Sequence, residues 1–258
     1  MTIDCILAAG GRPAPDDPLY AETQGGPKAL LDVAGRPMVA WVLAALSEAP
    51  SVRDIVVVGL PPETPLSAEK VVAYIPDQGS LLRNGLAGMA HLLERHPEAR
   101  RALLACADIP LLTTEMVEWV VAQATDSGIA LYYSAVPRAL MEARFPTAGR
   151  SYAHFADGDL AGGDLHVARL QLLETHRELL SDLVDRRKSA LKQALRLGVP
   201  FFVKLLLRRL TVAELERAVA QRWNLPARAV RVPYPELGMD VDKPQQLALC
   251  RQELAGRQ

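Results

Sequence analysis

From residue 3 to residue 136 the chain alternates short apolar runs with segments of helical period, and this alternation narrows its fold more than any other feature. Residues 3–9, 54–60, 71–75, 102–107 and 129–136 are nearly uncharged and have the length of buried strands. Between them, residues 37–47 set Met38, Val39, Val42, Leu43 and Leu46 at helical spacing. Residues 80–95 do the same with Leu81, Leu82, Leu86, Met89, Ala90 and Leu93. Thr113 or Thr114 suits the cap of a further helix through Val117, Val120 and Val121. Strands that alternate with helices bury both faces of their sheet. The expected fold is a three-layer α/β sandwich around a mixed, mostly parallel sheet.

Beyond residue 137 the rhythm changes. Residues 152–155 and 164–168 read as short strands, 170–223 as a helical block and 230–232 as a last strand. The stretch GMDVDKPQQL leads into a terminal helix. Neither an internal repeat nor a low-complexity linker divides the chain. The reading is a single domain over 1–258, with a divergent segment at about 137–225.

Composition excludes several classes. A formal net charge of -1 exerts no global pull on nucleic acid. Cys5, Cys106 and Cys250 are too few and too odd for a disulfide framework, and read as reduced thiols of a cytoplasmic protein. The N-terminus lacks a basic leader. No run reaches the ~18 apolar residues of a spanning helix.

The chemistry-bearing residues cluster at strand ends. Leu7, Ala8, Ala9, Gly10 and Gly11 close the first strand, where backbone N–H groups can cradle phosphate. Arg12 and Lys28 are cations within reach of such a loop. The spacing matches neither GxGxxG nor a Walker loop. Asp108 follows the strand ALLACA, and carboxylates at strand ends suit Mg²⁺. Asp240 and Asp242, at i and i+2, would face one cation from an extended segment. None of the five histidines has metal-ligand spacing, and most read as surface residues.

LAAGGR, GGPKALLDVAGRPM, ACADIPLLT and GMDVDKP together resemble the signature of the nucleotidyltransferase superfamily, nearer its molybdenum-cofactor (MobA-like) branch than the sugar pyrophosphorylases. The resemblance covers roughly 1–136 and 226–256. It implies a Rossmann-like nucleotidyltransferase fold and transfer of NMP from an NTP to a phosphorylated acceptor, with release of pyrophosphate. It also implies Mg²⁺, or Mn²⁺ in its place, held by Asp108 with Asp242 or Asp240. Lys28, Arg12 and the glycine loop would neutralise the NTP phosphates. Gln78, Gly79, Ser80 and Asn84 would lie beside the base, with CTP or GTP as donor. Ser80 is equally a sound helix cap. Asp164 and Arg144, with Arg138 and Arg150 near them, would serve the acceptor. Arg12 follows Gly11 directly, and Ala107 stands where the family has glycine before the aspartate.

Two other classes fit parts of the pattern: a glycosyltransferase using a nucleotide-sugar, and a nucleotide-binding protein without turnover. No nucleic-acid partner is expected, and a homodimer remains open. Residues 186–209 carry eight basic residues and no acidic one, interleaved with Leu, Phe and Val. They read as helices covering the core or as a peripheral membrane contact.

Overall fold

The computed structural model describes residues 2–64, 66, 68–179 and 198–256. The part of the basic run at 186–197 lies outside these residues, as does part of the helical block.

The strands are β1 (Ile3–Ala8), β2 (Asp32–Val33), β3 (Arg36–Pro37), β4 (Val52–Val58), β5 (Val71–Ile75), β6 (Arg101–Cys106), β7 (Leu131–Pro137), β8 (Ala153–Phe155), β9 (Gly158–Gly162), β10 (Leu165–Arg169) and β11 (Ala227–Arg231). The helices are α1 (Tyr20–Thr23), α2 (Met38–Glu48), α3 (Leu81–Arg95), α4 (Thr114–Gln123), α5 (Arg138–Arg144), α6 (Leu172–Thr175), α7 (Val199–Leu206), α8 (Val212–Trp223) and α9 (Pro244–Ala255).

Nine strands join one sheet in the order β5-β4-β1-β6-β10-β7-β9-β8, with β11 also on β7. The β5-β4-β1-β6 half is parallel. β10 runs antiparallel to both β6 and β7. β9 and β10 are one extended run that changes partners at Gly163–Asp164. Its second half lies between β6 and β7, while its first half pairs with β7 and β8. The mixed, mostly parallel α/β sheet matches the expectation.

Alternation along the strands sends side chains to two cores. Cys5, Leu7, Leu103, Ala105, Leu165 and Val167 meet α2, α4 and α9 on one face. Ile6, Val56, Val58 and Ala102 meet α3 and Leu173 of α6 on the other. Complete burial of a side chain such as Leu7 stabilises by roughly 1.5–3 kcal/mol before chain entropy is counted. The α3 layer sits close to the sheet. A Cβ on Gly88 would come within 2.7 Å of Ile6.

Three local expectations need correction. Residues 138–144, given no element in the sequence reading, form helix α5. β9 was not anticipated, because GDLAG has no β-branched residue and is bounded by glycines. The helical block breaks between α7 and α8, where Thr211 and Glu214 form a reciprocal cap that starts a new helix.

Candidate active site

The phosphate loop follows directly from β1. Ala9 N–H donates to Val58 O at 2.7 Å, and Ala107 N–H donates to Ala8 O at 2.9 Å, so both neighbouring strands pin the loop. Gly59 crosses beneath it: a Cβ there would fall 2.0 Å from Gly10 N. Gly10 is equally confined, because its Cβ would lie 2.6 Å from Asn84 Nδ2 and 2.8 Å from Asp77 Oδ1. Gly11, at φ +113°, faces open space. Its carbonyl accepts from Lys28 N–H at 3.0 Å, which ties the lysine's backbone to the loop. Among the described residues, the N–H groups of Gly10 and Gly11 have no protein acceptor. Arg12 is exposed on the rim.

Lys28 opens a short 3-10 turn, Lys28–Leu30. Its Nζ lies 2.7 Å from Asp108 Oδ2 and 2.7 Å from Asp242 Oδ1. Burial works against the charge of the ammonium, but the two carboxylates outweigh it and raise its pKa. Asp242 shows the counterpart: burial pushes its carboxyl up, and Lys28 pulls it down to about 2. Asp242 is brought to Asp108 by the backbone, since Val241 N–H donates to Asp108 O at 2.9 Å.

Asp240 pairs with Arg150, and its carboxyl also lies within reach of that of Asp242. Burial, against the pull of Arg150 and with Asp108 and Asp242 nearby, lifts its carboxyl to about 6. Asp164 sits where the β9–β10 run changes partners. Its N–H donates to Leu237 O, and its carbonyl accepts from Cys106 N–H. Burial and the charges of Asp240 and Asp108 push its carboxyl well above the usual range. Four carboxylates therefore converge on two cations, Lys28 and Arg150. Such a site has capacity for further positive charge.

The residues suit a Mg²⁺ ion on one specific ground. Asp108 Oδ1 is buried and has no hydrogen-bond partner, while Oδ2 is occupied by Lys28. Among the described residues, no three His, Cys, Asp or Glu side chains form a ready ligand cluster. Mg²⁺ does not need one, because it commonly takes one or two carboxylates and completes its shell with phosphate oxygens and water.

The segment beside the glycine loop is built around Asn84. This residue is buried, and its amide is used in both directions. Oδ1 accepts from Gln78 N–H at 2.7 Å, and Nδ2 donates to Asp77 Oδ1 at 2.8 Å. Asn84 thus positions the loop. Gln78 Nε2 donates to Pro76 O, Gly79 is exposed with φ +83°, and Ser80 caps α3 by accepting from Arg83 N–H. Asp77 carries no motif, and sequence reasoning missed it.

On the acceptor side the arginines part company. Arg144 is held by Glu253 and Glu236, and Arg138 by Glu142 and Asp159. Neither joins the carboxylates, whereas Arg150 does. The neighbouring surface holds a second feature that no motif announced. The Tyr133 ring stacks on His166, with centroids 4.4 Å apart and planes inclined by 16°. His166 Nδ1 accepts from Ser134 N–H, and burial pushes the imidazole down to about 4, so it is neutral. Tyr133 stays 41 % exposed, and packing followed by the charge of Asp164 raises its phenol to about 12. All five histidines are half-buried.

Known proteins share this fold. Among solved structures, a hypothetical transferase from Thermus thermophilus is 37 % identical, with TM-score 0.80 over 96 % of this chain and 100 % of that one. A CMP:2-keto-3-deoxy-manno-octonic acid synthetase complexed with CTP is 17 % identical, with TM-score 0.59 over 100 % and 99 %. A 2-C-methyl-D-erythritol 4-phosphate cytidylyltransferase, also from Thermus thermophilus, is 18 % identical, with TM-score 0.52 over 98 % of each chain. The two remoter likenesses establish the fold, that of the nucleotide-diphospho-sugar transferases. No match was found among curated proteins. Residues 5–191 match the family described as the MobA-like NTP transferase domain, and the chain belongs to that family of nucleotidyltransferases.

Proposed function

We propose that the protein transfers the NMP unit of an NTP to a phosphorylated acceptor and releases pyrophosphate, in a Mg²⁺-dependent reaction. The observation that carries this reading is Lys28, set between Asp108 and Asp242 at the mouth of the glycine loop. Asp108 and Asp242 are the residues that would hold the ion. When bound, Mg²⁺ neutralises phosphate charge and withdraws electrons from phosphorus.

The chain's own groups account for the rest. The N–H groups of Gly10 and Gly11 donate to phosphate oxygens of the NTP. Lys28 is already charged when the NTP arrives, so it offsets the negative charge that grows on the leaving group. An acceptor phosphate oxygen attacks the α-phosphorus. A new P–O bond forms, the bond to the β-phosphate's bridging oxygen breaks, and pyrophosphate leaves with that electron pair. No side chain has to remove a proton, since a phosphate acceptor is ionised at neutral pH. We assign Asp164 and Arg150, both beside Asp240, to the acceptor. CTP is the first donor to try, because two of the remoter structural neighbours are named for cytidylyl transfer or CTP binding, and GTP is the second.

The test is thermal unfolding with CTP, GTP, ATP and UTP, each with and without Mg²⁺, followed by pyrophosphate release from the stabilising pair. A ligand at about 100 times its Kd adds roughly 2.7 kcal/mol, a shift of several degrees. Stabilisation by one NTP only when Mg²⁺ is present, with pyrophosphate released once phosphorylated acceptors are added, is the expected result. Consumption of a nucleotide-sugar without any NTP would replace this reading with glycosyl transfer.

A further inference from the structure

Among the described residues, eight large hydrophobic side chains are exposed, and four of them lie within nine consecutive positions: Val199, Val203, Leu206 and Leu207. At 100° per residue these four occupy one side of α7 and its C-terminal turn. The opposite side is anchored. Leu205 is buried with Leu210, and Phe201 packs there with Phe155 of β8 and Leu215 of α8. The helix is thus fixed to the protein by one face and turns an aliphatic stripe outward. Val199 is 63 % exposed and Leu206 58 %.

The unpaired charges at the stripe have one sign. Lys204 is neutralised by Glu214 at 2.8 Å. Arg208 and Arg209, at the end of the stripe, are exposed, and neither makes an ion pair among the described residues. Arg208 adopts φ +53°, which ends the helix there. From 186 to 209 the sequence adds no acidic residue. A second copy docked on this face would set like charges against each other, whereas an anionic lipid surface would complement both the stripe and the arginines.

We propose that α7 and its C-terminal turn dock the protein peripherally on an anionic membrane surface. Val199, Val203, Leu206 and Leu207 enter the interfacial region, and Arg208 and Arg209 meet lipid phosphates. No helix among the described residues is long and apolar enough to cross a membrane, so the contact is lateral. It is independent of the transfer chemistry and can fail or hold without it.

The experiment is cosedimentation of the full chain with phosphatidylglycerol-containing vesicles and with pure phosphatidylcholine vesicles, at low and high salt. The expected result is binding to anionic vesicles that weakens as salt rises. Val203→Asp with Leu206→Asp should lower the bound fraction about tenfold or more. Arg208→Gln with Arg209→Gln should flatten the salt dependence. Leu140→Asp, at an exposed aliphatic of α5, should change nothing. The altered side chains face solvent, and an unchanged Tm confirms that each variant is folded. Absence of binding to anionic vesicles overturns the proposal. So does binding that the Val203/Leu206 double variant leaves intact, or a wild-type dimer that this variant dissociates while vesicles capture neither form.

Discussion

The ammonium of Lys28 lies 2.7 Å from a carboxylate oxygen of Asp108, across 80 residues of sequence, and the same ammonium serves Asp242. Lys28→Met removes the only cation paired with either carboxylate among the described residues. Asp242, held near pH 2, should then titrate at a clearly higher pH in carboxyl carbon NMR, and the NTP concentration giving half-maximal stabilisation should rise by roughly tenfold or more. An unmoved Asp242 titration would mean that the pair does not exist in solution.

Asp108→Asn keeps the shape of the side chain and removes its charge. The variant should fold with a near-normal Tm, because the lost partner of Lys28 is offset by relief of carboxylate crowding. It should lose the Mg²⁺-dependent part of NTP stabilisation and at least a hundredfold in turnover. Retained Mg²⁺ dependence would move the ion to Asp240 and Asp164.

Gly10 and Asn84 should be coupled. Asn84→Ala leaves Gln78 N–H and Asp77 without their partner and should cost about 1–3 kcal/mol. Gly10→Ala drives a methyl against the Asn84 amide. The double variant should be less destabilised than the sum of the two single ones, which denaturant unfolding of all four proteins measures directly. Simple additivity would show that the contact does not confine Gly10.

Gly59→Ala should be the most damaging glycine change in the molecule. Its Cβ would meet backbone, which cannot swing away as a side chain can, and its φ is +117°. A loss of several kcal/mol, or failure to accumulate as folded protein, is expected from far-UV circular dichroism and unfolding curves.

His166 sets a pH dependence. The folded imidazole stays neutral down to about pH 4, while in the unfolded chain it takes up a proton near its ordinary 6.5. Its contribution is therefore present above 6.5 and is lost as pH falls through the window to about 4, by about 1.4 kcal/mol per unit of separation at most. Urea midpoints of wild type and His166→Gln should converge as pH drops from 7.5 to 4.5. Parallel curves would remove His166 as the source.

Much of the parallel half was legible from local pattern. β1, β4, β5 and β6 are short apolar runs, and α3 announced its own start through Ser80. Beyond residue 137 the reading located β8, β10, β11 and the terminal helix but missed α5 and β9. β9 has glycine at both ends and finds its place only between β7 and β8. Motif residues located Lys28, Asp108 and Asp242, which the fold gathers at one point. Arg144 was named by proximity in sequence alone, and α5 carries it to Glu253 instead. Asp77 and the Tyr133–His166 stack stayed hidden, since each depends on a partner that only folding supplies.

The hydrogen bond from Val241 to Asp108 also bears on when the protein becomes able to work. Synthesis proceeds from the N-terminus, so the glycine loop, Lys28 and Asp108 leave the ribosome long before the segment that completes their charge balance. Until Val241 docks, Lys28 has a single carboxylate neighbour. A nascent chain that has not yet reached Val241 thus holds the glycine loop with a lysine whose second carboxylate is still missing.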